Sequence, residues 1–229
     1  MHLTLVDYSL WFGGFLIVLA LLITMHKRRM RRTYPYFFFY VSLQVAFGPL
    51  LFLLNARSYR AYYYGYYVTL IVSVVASVLV FWDIQRNTLS TRSRLRDLAA
   101  LMFWSSVALV LATMILINFG RGRSDTFLQD WSFSTARATH VAQCTLILWP
   151  FCFRKRLGIS SSSMAYGIAL GFGFFATTEM LVARITRFDR PSLMLLSQIY
   201  STAYLTASLI WLAYSMLGSD QARVPGPAD

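Results

Sequence analysis

A polar stripe interrupts the apolar stretch from 131 to 153. Its members are Arg137, His140, Gln143 and Cys144. At about 100° per residue, Arg137 and Cys144 fall on nearly the same face of a helix, and His140 flanks them. Because charged side chains are costly inside lipid, this stripe indicates a site that faces the interior of a helix bundle.

Glu179 is the only glutamate in the chain and the expected partner of Arg137. At about 1.5 Å per residue, the two residues lie at similar depths along neighbouring predicted helices. An ion pair between them would offset part of the cost of burying either charge. A packing salt bridge, or an Arg137 side chain that reaches the outer headgroups, would use the same residues.

We predict an outward-opening polar pocket around this pair. Its candidate ligand-binding residues are Tyr63, Tyr67, Arg137, His140, Glu179, Gln198 and Tyr204. Arginine donates hydrogen bonds, an ionised glutamate accepts them, and the remaining side chains can do both, so the set favours a small polar or zwitterionic ligand. A purely structural polar network would use the same side chains.

Other chemistry finds less support in the sequence. His140 could accept a proton or ligate a metal ion or haem, but His2 and His26 fall elsewhere in the predicted fold, and metal binding needs convergent ligands. Motifs for zinc-dependent, serine-dependent and nucleotide-dependent catalysis are absent. The lysines, Lys27 and Lys155, fall in predicted connections, so no intramembrane lysine could form a Schiff base with retinal. We therefore predict a protein that is not an enzyme, with no catalytic residue, metal or cofactor.

The composition identifies the elements that position these residues. Of the 229 residues, 57% are hydrophobic and 13% are charged, whereas about a quarter are charged in a soluble domain. The net charge of +12 comes from short basic clusters between apolar runs, which differ from the continuous basic face of a nucleic-acid-binding protein. The composition predicts a membrane protein that contacts the lipid bilayer and binds no nucleic acid.

Seven apolar segments are long enough to cross about 30 Å of hydrocarbon. We place the transmembrane helices at about 5–26, 34–55, 61–84, 97–119, 128–153, 160–183 and 192–217. They predict an all-α membrane protein in which residues 1–217 form a seven-transmembrane-helix bundle and residues 218–229 form a short cytoplasmic tail. The richest basic connections, 27–32, 86–96 and 154–156, fall on one side. The positive-inside rule therefore places the N-terminus outside and the C-terminus in the cytoplasm.

Three further patterns are expected to be structural. Tyrosines that open the second and third predicted helices, among them Tyr34, Tyr36 and Tyr40, are typical of interfacial anchors. Asp83 and Arg86 are three residues apart and are expected to pair on a solvated helix end. The sixth predicted helix contains Gly167, Gly171 and Gly173, and small residues four apart allow close helix packing.

Several segments together resemble a group of small seven-span integral membrane proteins that are common in acidobacterial genomes and functionally uncharacterised. They are the aromatic run from Tyr34-Pro35 to Tyr40, the Tyr62–Tyr67 cluster, Trp82-Asp83-Ile84, Gln143-Cys144, Gly167 to Gly173, and Ala203-Tyr204 through Trp211 and Tyr214. The resemblance implies a multi-pass protein of the bacterial inner membrane and no particular activity. Asp83 stands where that group is expected to have a glutamate.

Two functional classes are consistent with these patterns. One is a receptor-like module that binds or senses a small molecule and acts through a partner protein or a homo-oligomer. The other is a transporter or channel for a small polar solute. Mostly proline-free helix centres favour the first class, because transporters often use interrupted helices, whereas a coarse repeat of helices one to three in helices five to seven favours the second.

Overall fold

In the computed structural model, the described part of the chain is helical throughout its regular structure. The described residues are 5–89, 104, 105, 108, 112, 163–188 and 193–217. The α-helices are α1 (Leu5–Lys27), α2 (Pro35–Arg57), α3 (Tyr59–Leu89), α4 (Met164–Phe188) and α5 (Leu193–Leu217), and a 3-10 turn occupies Met30–Arg32. These correspond to the first, second, third, sixth and seventh predicted helices, so the predicted all-α class is confirmed. The predicted helices at 97–119 and 128–153 lie outside the described residues except at isolated positions, and the tail over 218–229 lies outside them entirely.

In the part of the chain that the structure describes, four helices are long and apolar enough to cross a membrane: Ser9–Lys27, Pro35–Arg57, Tyr59–Ile84 and Met164–Val182. Serines, threonines and tyrosines occur among the apolar residues of helix α5. Large apolar side chains such as Phe52, Leu53 and Leu181 are exposed, whereas soluble monomers rarely expose extended apolar surfaces. The protein is therefore a helical membrane protein.

The described helices pack in a ring in which each contacts the next and α5 contacts α1. Contacts between aromatic side chains show the directions of the helices. His26 on α1 pairs with Phe38 near the start of α2, while Trp11 near the start of α1 stacks on Phe52 near the end of α2, so α1 and α2 are antiparallel.

The same reasoning orders the remaining helices. Along α4 and α5, Tyr166 contacts Tyr214 and Phe175 contacts Tyr204, so these two helices are antiparallel. The start of α2 meets the end of α3 at Asp83, and Phe81 of α3 contacts Phe172 of α4. Earlier on α3, Tyr66 lies within electrostatic range of Glu179, which follows Phe172 on α4, so α3 and α4 are antiparallel. Helices α2 and α4 therefore run in one direction, and α1, α3 and α5 run in the other.

Asp83 joins the end of α3 to the start of α2. Its Oδ2 accepts hydrogen bonds from the backbone N–H groups of Tyr36 at 2.7 Å and Phe37 at 3.0 Å. Tyr34, at the N-cap position of α2, makes no capping hydrogen bond with its own side chain, so a carboxylate from another helix satisfies these groups. Asp83 is 0% exposed, and the expectation that it lies on a solvated helix end is therefore wrong.

Glycines on α4 accommodate aromatic rings from α5. A Cβ atom added at Gly167 would overlap the ring of Tyr214, and one added at Gly171 would overlap the indole of Trp211. The Trp211 indole N–H donates a hydrogen bond to the carbonyl oxygen of Ile168 at 3.2 Å. The glycines thus make room for side chains rather than for a second backbone. Gly173 is half-buried on the same helix.

Candidate functional site

An aromatic cluster forms the centre of the described helix ring. Its members are Phe37 and Tyr40 from α2, Phe81 from α3, Phe172 from α4 and Trp211 from α5, and all are buried. Ring centroids lie 4.9 Å apart for Phe172 and Trp211, 5.2 Å for Tyr40 and Phe172, and 5.5 Å for Phe37 and Trp211. These separations are those of favourable edge-to-face and offset aromatic pairs. Packing between these rings holds together the helices that carry the polar residues.

A layer of polar side chains lies beside the aromatic cluster, toward the C-terminal end of α2. On three helices, the residue seven positions from a clustered ring is polar: Gln44 from Phe37, Glu179 from Phe172, and Tyr204 from Trp211. Seven residues make almost two full turns, so each polar residue shares the inward face of its aromatic counterpart, about 10 Å away along the helix. The opposite directions of α4 and α5 place Glu179 and Tyr204 at the same level.

Tyr40 connects the two layers. Its hydroxyl group lies within electrostatic range of Tyr204 and Glu179 and interacts with the side chain of Gln44. The Gln44 amide also donates a hydrogen bond to the Ser73 hydroxyl at 3.2 Å, which brings in α3. We call Tyr40, Gln44, Ser73, Glu179 and Tyr204 the polar cluster. Its residues come from α2, α3, α4 and α5.

The polar cluster can recognise a polar molecule. Glu179 provides the one carboxylate of the described cluster, the tyrosine and serine hydroxyls donate or accept hydrogen bonds, and the Gln44 amide does both. Electrostatic attraction is stronger here than in water because the surroundings have a low dielectric constant. This combination is suited to a cationic or zwitterionic group with additional hydrogen-bonding atoms.

The structure brings together some of the predicted site residues. Glu179 and Tyr204 both lie within electrostatic range of Tyr40. Tyr63 is half-buried and Tyr67 is 7% exposed, and their ring centroids lie 4.7 Å apart. Tyr66, which also lies in the first turns of α3, is within electrostatic range of Glu179.

Of the remaining predicted site residues, Gln198 is the one that the structure describes. Gln198 is half-buried on α5, six residues before Tyr204. Arg137 and His140 lie outside the described residues, so the predicted ion pair between Arg137 and Glu179 stays a prediction.

Three residues of the polar cluster were missed by the sequence analysis: Tyr40, Gln44 and Ser73. Tyr40 is 7% exposed and Tyr34 is 3% exposed, so the interpretation of these two tyrosines as interfacial anchors is wrong. Their hydroxyl-bearing rings pack inside the bundle because the start of α2 contacts the end of α3. The helical spacing of Phe37, Tyr40 and Gln44 places these three residues on one face of α2, but it does not indicate that this face is buried.

The fold and the site together define a class, a helical membrane protein with polar side chains converging in its interior. In the part of the chain that the structure describes, no group of three or more histidine, cysteine, aspartate or glutamate residues could hold a metal ion. Comparison with known protein families, with characterised proteins and with solved structures finds no match to this chain. The functional proposal therefore rests on the site itself.

Proposed function

We propose that this protein binds a small polar or zwitterionic molecule at the polar cluster and acts through a partner protein or a second copy of itself. The observation that carries the proposal is the position of the buried Tyr40 beside Gln44 and within electrostatic range of Glu179 and Tyr204, which come from two other helices. Ionisable groups within a membrane are costly and are typical of functional sites. A binding role is favoured over catalysis, because tyrosines, an amide and a carboxylate recognise polar groups without supplying an activated nucleophile.

The proposal includes seven spans in a bacterial inner membrane, with the N-terminus outside and the C-terminus cytoplasmic. Helix α3 ends on the membrane face at which α2 begins, and α4 runs in the same direction as α2, so α4 begins on that face too. An even number of crossings must then separate α3 from α4. The two apolar segments predicted at 97–119 and 128–153 supply such a number, in agreement with the resemblance to the acidobacterial seven-span proteins.

A transporter or channel for a small polar solute is the second candidate. The observation in its favour is Pro49, which lies inside α2, five residues beyond Gln44. Proline removes one backbone hydrogen bond from a helix, and transporters often bind their substrates where a helix is interrupted. Uptake of a bound ligand into proteoliposomes would distinguish this role from sensing.

A thermal-shift screen of the purified protein tests the binding proposal. We expect an amino acid, betaine or amine to raise the apparent unfolding temperature with increasing concentration, because a ligand that binds only the folded state stabilises it by about 2.7 kcal/mol at a hundred times its Kd. Glu179→Gln should abolish this shift. Phe174→Leu, at an exposed position on the same helix, should retain it.

Two outcomes would contradict the binding proposal. One is a ligand that stabilises Glu179→Gln as much as the unaltered protein, which would place the binding site elsewhere. The other is the absence of stabilisation by every cationic and zwitterionic compound tested, which would leave the polar cluster as a structural network.

A further inference from the structure

The connection between α1 and α2 concentrates positive charge at one end of the bundle. Five of its six residues from 27 to 32 are basic: Lys27, Arg28, Arg29, Arg31 and Arg32. Lys27, Arg29, Arg31 and Arg32 are exposed, and Arg28 is half-buried. No acidic residue occurs in the sequence between Asp7 and Asp83, so nothing in this part of the chain neutralises the connection.

The connection between α1 and α2 forms a well-defined turn. Arg29 has left-handed backbone angles, with φ 56° and ψ 24°, and the following 3-10 turn is closed by hydrogen bonds from the N–H groups of Thr33 at 3.1 Å and Tyr34 at 2.8 Å to the carbonyl oxygen of Met30. Met30 is 8% exposed and belongs to the hydrophobic core, as does Tyr34. The buried residues therefore hold the backbone in place while the arginines remain at the surface.

The end of α3 adds a sixth cation and fixes the turn from a second side. The Asn87 side-chain amide donates a hydrogen bond to the carbonyl oxygen of Thr33 at 2.7 Å, and Arg86, the residue before it, is exposed. Asp83 is fully buried against the N-terminus of α2. Its carboxylate lies within electrostatic range of Arg86 and offsets part of that residue's charge. The five cations from 27 to 32 are therefore the main positive charge of this surface.

The depth of these cations identifies their partner. Lys27 ends the candidate span Ser9–Lys27, and the four arginines after it precede the span Pro35–Arg57. Arg86 follows the span Tyr59–Ile84. All six cations therefore lie at the level of the lipid headgroups. Guanidinium groups bind phosphate oxygens through paired hydrogen bonds, and basic clusters directly beside a span attract anionic lipids. We infer that Lys27, Arg28, Arg29, Arg31, Arg32 and Arg86 form a basic turn that binds the phosphate headgroups of anionic phospholipids.

Lipid titration of the purified, delipidated protein in neutral detergent tests this inference. The probe is phosphatidylglycerol, and bound lipid is counted by native mass spectrometry. Each cation near an anionic surface contributes about a fivefold change in affinity, so Arg31→Gln/Arg32→Gln should weaken phosphatidylglycerol binding by about 25-fold. Arg57→Gln/Arg60→Gln is the matched control, since it removes two exposed arginines at the opposite end of α2 and α3, and it should leave binding unchanged.

A third variant and two further ligands make the test decisive. Arg31→Lys/Arg32→Lys keeps the charge and should retain most of the binding, which separates loss of the site from loss of folding. The inference is overturned if the two glutamine variants lose phosphatidylglycerol equally, or if neither loses it. It is also overturned if phosphatidylcholine binds as tightly, or if inorganic phosphate at millimolar concentration displaces the lipid, which would identify a site for free phosphate.

Discussion

Asp83→Ala should lower the free energy of unfolding by about 3 kcal/mol, the largest effect expected for a polar substitution in the described part of the protein. The substitution leaves the N–H groups of Tyr36 and Phe37 without their acceptor, and the Phe37 group is buried. It also removes a negative charge from the positive end of the α2 dipole. Unfolding temperature in mild detergent is the readout, and the expected decrease is about 10 °C.

Two further variants separate the capping role of Asp83 from its charge. Asp83→Asn keeps an oxygen that can accept from both N–H groups and loses the stronger charge-assisted bond, so it should cost about half as much. Asn87→Ala removes a nearby hydrogen bond at the more exposed end of α3 and should cost less than about 1 kcal/mol. If Asp83→Ala proves as mild as Asn87→Ala, the carboxylate does not hold α2 against α3.

Gly171→Ala should be destabilising by about 2–3 kcal/mol, since the added methyl group overpacks a filled interface. A Cβ atom at this position overlaps the Trp211 indole, so either α5 shifts or the indole N–H loses the carbonyl of Ile168. The matched substitution is Gly14→Ala, where a Cβ meets nothing within 4 Å. There the higher helix propensity of alanine should stabilise the protein by about 0.5–1 kcal/mol.

Chemical or thermal unfolding of both alanine variants measures this contrast. The prediction is a difference in sign between two identical substitutions. A second variant, Gly171→Ala/Trp211→Phe, should recover part of the loss, because the smaller ring makes room for the methyl group and couples the two positions. Equal effects at Gly14 and Gly171 would contradict the close contact between α4 and α5.

The helices could be predicted because their signal is local. Runs of about 20 apolar residues, ended by basic clusters, define α1, α2 and α4 without reference to any other part of the chain. The end of α3 was predicted at residue 84, where hydropathy falls, yet the helix continues to Leu89. Its last polar turn is stabilised by a contact with the connection before α2, through Asn87 and Thr33, which no local pattern reveals.

The site was predictable only in part, for a related reason. Glu179 stands out as a single carboxylate in an apolar helix, so the sequence was sufficient to identify it. Asp83 accepts hydrogen bonds from residues 46 or more positions away, such as Phe37, and Tyr40 lies within electrostatic range of Glu179 and Tyr204 on other helices. In lipid both the inner and the outer face of a helix are apolar, so hydrophobic spacing alone does not tell a buried tyrosine from an interfacial one.

The central claim is that the polar cluster opens to the outer face and admits a polar molecule. Cysteine labelling on intact cells tests it most directly, in a background with Cys144→Ser and Cys152→Ser. A membrane-impermeant maleimide should label Tyr204→Cys in the cluster and Arg57→Cys in the connection predicted to be outside. It should not label Leu209→Cys, at an exposed apolar position on α5, because a thiol surrounded by lipid does not ionise. Labelling of Arg57→Cys but not of Tyr204→Cys would show a closed structural network, and labelling of Arg32→Cys in place of Arg57→Cys would reverse the orientation of the whole bundle.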